Sequence, residues 1–144
     1  MATQRKGEVV WKGDLLHGSG TIAKPASGAF GPLDVSWAAR SEEPNGKTSP
    51  EELIAAAWAA CFAMALSNGL AKAGTPSEQL ETSANVTFQP GEGITHGALT
   101  VRGTVPGLDA DGFRAAAEDA KKNCPVSKAL SGIPEVTLDA QLAS

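Results

Sequence analysis

Hydrophobic residues fall along the chain in two rhythms. Strict alternation marks residues 80–89, with Ala84, Val86 and Phe88 on one face, and residues 94–105, with Leu99, Val101 and Val105 on one face. It marks the C-terminus too, where Val136, Leu138, Ala140 and Leu142 alternate with Thr137, Asp139 and Gln141. A period of two predicts half-buried strands. Pro90-Gly91-Glu92-Gly93 joins the first two as a hairpin. Residues 8–11, 21–23 and 33–37 predict three shorter strands, separated by Gly13-Asp14, Gly18 and Gly20, and a Gly/Pro/Ser-rich loop at 25–32.

The second rhythm is helical. From Ser49 to Gly74 the chain is apolar on almost every side. Ser49 offers an N-cap, Pro50 suits the first helical position, and Glu52 completes an S-x-x-E capping box. Lys72 suits the negative end of the dipole, Gly74 a left-handed C′ residue, and Pro76 prevents continuation. The expected helix is about 35 Å long. Seven of the fourteen residues from Leu53 to Leu66 are alanine, which lets neighbours approach the backbone closely. A helix without a polar face must be covered all round, so a central helix clasped by sheet or by a second copy is expected. Asp109 caps a second helix over 110–122, and Pro125 forces the chain to kink or restart. The order βββ-α-ββ-α-β argues for an α+β fold with mostly antiparallel sheets around a long central buried helix. No repeat or long linker divides the chain, so residues 1–144 are expected to form a single domain.

Composition narrows the function classes. The net charge of −4 lacks the basic footprint of a nucleic-acid binder, and gives no reason to expect an anionic membrane surface as partner. The start, MATQRKGEVVW, has no apolar segment of the secretory kind, and the longest uncharged apolar run, 53–66, is expected to be too short to span a bilayer. These features place the protein in the cytoplasm, where thiols rest reduced. Its two cysteines are then buried fillers or a redox pair.

Cys61, in Trp58-Ala59-Ala60-Cys61-Phe62, is inert packing or a reactive thiol kept from bulk water. As a thiolate it needs a cation, and none lies within 53–66, so the partner must come from elsewhere in the fold. Cys124 follows Lys121 and Lys122 and precedes Pro125, a setting that lowers a thiol pKa or simply tucks the residue under a turn. The spacing of the cysteines carries no zinc signature, and His17 and His96 read as surface residues.

Ser49-Pro50-Glu51-Glu52-Leu53-Ile54, Ala59-Ala60-Cys61-Phe62 and Cys124-Pro125-Val126-Ser127-Lys128-Ala129-Leu130 together resemble the OsmC/Ohr family, the osmotically inducible and organic-hydroperoxide-resistance proteins. The resemblance runs from Trp11-Lys12-Gly13-Asp14 to the final strand and favours the OsmC branch. It implies a thiol-dependent peroxidase acting on a small-molecule hydroperoxide, built as an intertwined homodimer with sites at the subunit interface, and the apolar neighbours of Cys61 (Trp58, Phe62, Met64) suit an organic hydroperoxide better than hydrogen peroxide. It implies no bound cofactor, and an external dithiol, lipoyl-type or another small thiol, as reductant. By position Cys61 matches the peroxidatic cysteine, Cys124 the resolving cysteine, Arg40 the family's arginine and Glu51 its glutamate. Trp58 stands where the family has His or Tyr, which is expected to reshape the substrate pocket. On a straight helix Glu51 and Cys61 are separated by about 15 Å. Glu51 therefore serves the partner subunit's Cys61 or an arginine bridging the gap. Two other readings compete: a non-catalytic dimer binding a small lipid-like ligand, and a redox sensor. Both cysteines with a cation and its glutamate exceed what binding alone requires, and the sequence shows no DNA-binding segment for a sensor.

Overall fold

A computed structural model describes residues 2–143. The chain divides into two compact units, Met1–Pro50 and Glu51–Ser144.

The first unit is a three-stranded antiparallel sheet in the order β1 (Val9–Lys12), β2 (Ser19–Ile22), β3 (Leu33–Val35). A short helix, α1 (Trp37–Ser41), follows. The alternation through Leu33 and Val35 suggests a strand to residue 37, but the strand stops at Val35. The Ser36 hydroxyl oxygen accepts the Ala39 N–H at 3.1 Å, an N-cap that turns the chain into α1 and puts Trp37 on a helix. Among the described residues of this unit only Gly20 and Ala39 are buried. Val9 and Val10 are 57% and 60% exposed.

The second unit begins with the long helix α2 (Pro50–Lys72). Its end follows the sequence: Gly74 takes φ +88°, and the N–H groups of Gly74 and Thr75 close onto the carbonyls of Ala71 and Leu70 at 3.1 and 2.9 Å. Strands β4 (Gln79–Gln89) and β5 (Gly93–Thr104) form the expected antiparallel hairpin, with a register shift at Thr87/Phe88. Helix α3 (Ala110–Asn123) is capped by Asp109, whose carboxylate accepts the Gly112 N–H at 2.7 Å. Helix α4 (Pro125–Ala129) and strand β6 (Glu135–Leu142) complete the unit.

β6 pairs with β5 in parallel, the one departure from antiparallel pairing among the named strands. A parallel neighbour needs a crossover. The 14 residues of α3 supply it, carrying the chain back about 21 Å towards the start of β5.

The core joins one face of this sheet to the helices. Trp58, Phe62, Leu66 and Leu70, spaced four apart on α2, pack with Leu99, Val101 and Val105 of β5 and Phe113, Ala117 and Ala120 of α3. The Thr82 hydroxyl donates to the Ala59 carbonyl at 3.0 Å, tying α2 to β4 as well. The expectation of a helix covered all round is met along that stripe only. Ala56, Ala57, Ala60, Met64 and Ser67 are exposed, Met64 at 72%. One sheet face has room to cover one stripe, and the alanine-rich far side lies beyond it. By length and composition alone, α2 would suffice to cross a bilayer.

α2 approaches β5 closely because Gly97 has no side chain. A Cβ there would stand 2.5 and 2.6 Å from Cζ3 and Cη2 of Trp58. Gly97→Val is expected to destabilise the protein by about 1–3 kcal/mol, whereas Gly132→Ala, with nothing within 4 Å, serves as a near-neutral control. Urea unfolding of both variants reads the difference.

Candidate active site

Cys61 lies in the middle of α2, half-buried against the core cluster. Cys124 is fully buried at the junction of α3 and α4, closing the first helix and opening the second. Its N–H donates to the Ala120 carbonyl at 2.8 Å, and its carbonyl accepts the Lys128 N–H at 3.0 Å. Pro125, without an N–H, cannot extend α3 and occupies the start of α4 instead. This turn brings the Cys124 sulfur to 2.9 Å from that of Cys61, with both thiols free.

The two sulfurs are held differently. Burial pushes the Cys61 thiol up, and its hydrogen bond to Cys124 pushes it the same way, against one backbone N–H from Val126. Burial pushes Cys124 up too, but donors outweigh it: the Cys61 thiol, the N–H and hydroxyl of Ser127, and the Val126 N–H. The balance brings Cys124 below the ordinary thiol value.

Ser127 is itself held. The Trp58 indole N–H donates to its hydroxyl oxygen at 2.7 Å. Both residues line a cleft of about 710 Å³, with Leu130, Ile133 and Val136 as apolar wall and Lys128 beside them. Ser127 was not singled out by the sequence reasoning as a functional residue. The signal available was a short hydroxyl side chain three residues after Cys124, one helical turn on.

Arg40 lies in the last turn of α1 in the first unit, half-buried. With Val9, Trp11, Val35 and Trp37 it lines a mostly apolar pocket of about 430 Å³. Glu51, in the first turn of α2, is 6% exposed. α2 is unbroken from Pro50 to Lys72, so about 15 Å of helical rise separates Glu51 from the Cys61 of its own chain. The structure thus brings the two cysteines together and holds Glu51 apart from that pair. The histidines are engaged at the surface, His17 with Asp14 at 3.1 Å and His96 with Glu135 at 2.9 Å. Among the described residues no group of three or more His, Cys, Asp or Glu side chains converges as metal ligands would.

The fold and this sulfur pair define a class: an α+β protein with a dithiol centre at a helix junction. The chain belongs to the OsmC family, whose OsmC-like protein model matches residues 43–139. It is 42% identical over 147 aligned residues to the peroxiredoxin OsmC of Escherichia coli (strain K12), covering 100% of both chains. It is 36% identical over 107 residues to the organic hydroperoxide resistance protein OhrA of Bacillus subtilis (strain 168), covering 69% of this chain and 72% of the relative. The crystal structure of an OsmC-like protein from Mycoplasma pneumoniae superposes with a TM-score of 0.73 over 100% of both chains, at 16% identity, a likeness of fold.

One consequence of the sulfur geometry is measurable. Mild oxidation should form an intramolecular Cys61–Cys124 bridge, seen by mass spectrometry as loss of both thiol hydrogens and absent in either cysteine-to-serine variant.

Proposed function

We propose that the protein is a cysteine-based peroxidase that reduces organic hydroperoxides to alcohols, and hydrogen peroxide less well, in defence against oxidative and osmotic stress. The observation that carries this reading is the pair of free thiols at 2.9 Å in a chain 42% identical over its full length to a peroxiredoxin.

The Cys61 thiolate attacks the terminal oxygen of the hydroperoxide. The O–O bond breaks, the alkoxide takes a proton and leaves as alcohol, and Cys61 becomes a sulfenic acid. Cys124 then attacks the Cys61 sulfur, the S–O bond breaks, and hydroxide leaves with the Cys124 proton as water. The disulfide returns to two thiols at the expense of an external dithiol, lipoyl-type or another small thiol. Because burial and Cys124 both push the Cys61 thiol up, its thiolate needs a cation. Arg40 takes that role, its guanidinium also orienting the peroxide oxygens. Its apolar pocket suits a substrate with a hydrocarbon tail.

The working form is a homodimer. The exposed alanine-rich side of α2 and the sparse burial of the first unit support this, since both present apolar surface that a second copy would cover. Glu51 then acts in the partner's site, holding the guanidinium there, which the rise along α2 favours. Both units are read as one OsmC-like domain, supported by relatives that match the chain over its whole length. The reading places the protein in the cytoplasm, where reduced thiols suit the cycle.

Turnover of cumene hydroperoxide with a dithiol tests the chemistry. Cys61→Ser should fall to background, and Cys124→Ser should accumulate a sulfenic acid after one equivalent. Arg40→Met should lose roughly a hundredfold or more in peroxide reactivity, the scale of a removed charge stabiliser. Equal peroxide consumption by wild type and Cys61→Ser would end the enzyme reading and leave ligand binding in its place.

The dimer has its own test. Met64→Glu puts a charge in the middle of the exposed α2 face and should shift the protein towards monomer in sedimentation. Unchanged mass in wild type and variant would remove that face from any interface.

A further inference from the structure

We infer that Trp58 and Ser127 are positioning residues for Cys124: their hydrogen bond is a standing tie that holds α4 against α2, beside the sulfur pair that closes and opens with redox state. Each partner of that bond stands three residues, one helical turn, from a cysteine, Trp58 before Cys61 on α2 and Ser127 after Cys124 in α4. The indole Nε1–H donates to Ser127 Oγ at 2.7 Å, and the two sulfurs meet at 2.9 Å. The two contacts therefore run side by side between the same two segments. The Trp58 end cannot give way, because the indole is 1% exposed and a Cβ at Gly97 would stand 2.5 Å from its ring. An indole N–H can only donate, and left unmet in a buried ring it carries a desolvation cost. The other end has less to hold it. None of the five residues of α4 is buried, and Cys124 makes no side-chain cap bond at its start. The Cys124 carbonyl accepts the Lys128 N–H at 3.0 Å, so the cysteine goes where the first turn of α4 goes.

This inference rests on the peroxidase reading for the step it serves, in which Cys124 attacks the Cys61 sulfenic acid, the S–S bond forms, the S–O bond breaks, and water leaves. In the disulfide the S–S bond itself fixes α4 to α2. In the dithiol that work falls to the remaining contacts, and the indole bond is the one that grips the turn just after Cys124. Without it the reduced segment explores more positions, whereas the bridged segment stays where its bond puts it. Closing the bridge then costs more conformational freedom, and the effective concentration of one sulfur at the other falls. A bond that only supported the fold would act alike on dithiol and disulfide and leave the equilibrium between them unmoved.

The test is the equilibrium of the Cys61–Cys124 couple in glutathione buffers at fixed neutral pH, in the full-length protein. Glutathione disulfide takes two electrons and two protons from the two thiols, giving the bridge and two molecules of reduced glutathione. Ser127→Ala should make the bridge about fivefold less favourable, the scale of one hydrogen bond. That factor raises the potential of the couple by about 20 mV. Trp58→Phe, which keeps a ring against Gly97 and removes the donor, should match it. The double variant should go no further, because both changes remove the same bond. Ser127→Thr, which keeps the acceptor, should return the wild-type potential. Potentials of Ser127→Ala and Trp58→Phe equal to that of wild type would overturn the inference, as would shifts that add in the double variant. Alanine is a good helix former, so Ser127→Ala decides the matter if Trp58→Phe does not fold. Shifted potentials in a protein that leaves cumene hydroperoxide untouched would overturn the peroxidase reading and leave the tie standing.

Discussion

The Trp58 indole packs on β5 where Gly97 leaves the backbone bare, and that contact fixes how α2 sits on its sheet. Phe62, Leu66 and Leu70 follow at one-turn intervals and extend the same seam. Cys61, just before Phe62, is thereby held at the edge of the buried stripe, half in the core and half out. The other end of the ring holds Ser127, and through it the turn that carries Cys124. Fold and thiol geometry therefore share one anchor, and loosening it would disturb both.

Two opposing effects then act on a pair of identical side chains. Burial disfavours a thiolate at either position, and hydrogen-bond donors favour it. The balance lowers the Cys124 thiol and raises that of Cys61, with each sulfur acting on the other at 2.9 Å. The proposed peroxidase chemistry asks for negative charge at Cys61, which is why an arginine belongs in it.

Much of this was legible in the sequence. Gly74 and Pro76 fixed where α2 stops, Asp109 where α3 starts, and the alternation through Ala84, Val86 and Phe88 the facing of β4. The closeness of Cys61 and Cys124 followed from resemblance rather than from spacing, because residues 63 apart meet only through tertiary packing. Alternation past Val35 hid α1, since the Ser36 cap is a hydrogen bond that periodicity does not register. The parallel seating of β6 was equally hidden, because its pattern of exposed and half-buried residues fits either direction. The Trp58–Ser127 bond joins residues 69 apart, and only the assembled core brings it into view.

The junction at Cys124 carries a thermodynamic consequence. A bond from it to Cys61 ties the long helix to the crossover across 63 residues of chain. Closing a loop of that length removes conformational freedom from the unfolded chain worth about 4 kcal/mol on a chain-entropy account. Each oxidation would make the molecule harder to unfold, and each reduction would return it to a softer state. Resistance to unfolding would then record the redox history of the molecule, with the oxidised chain the slower to meet a protease.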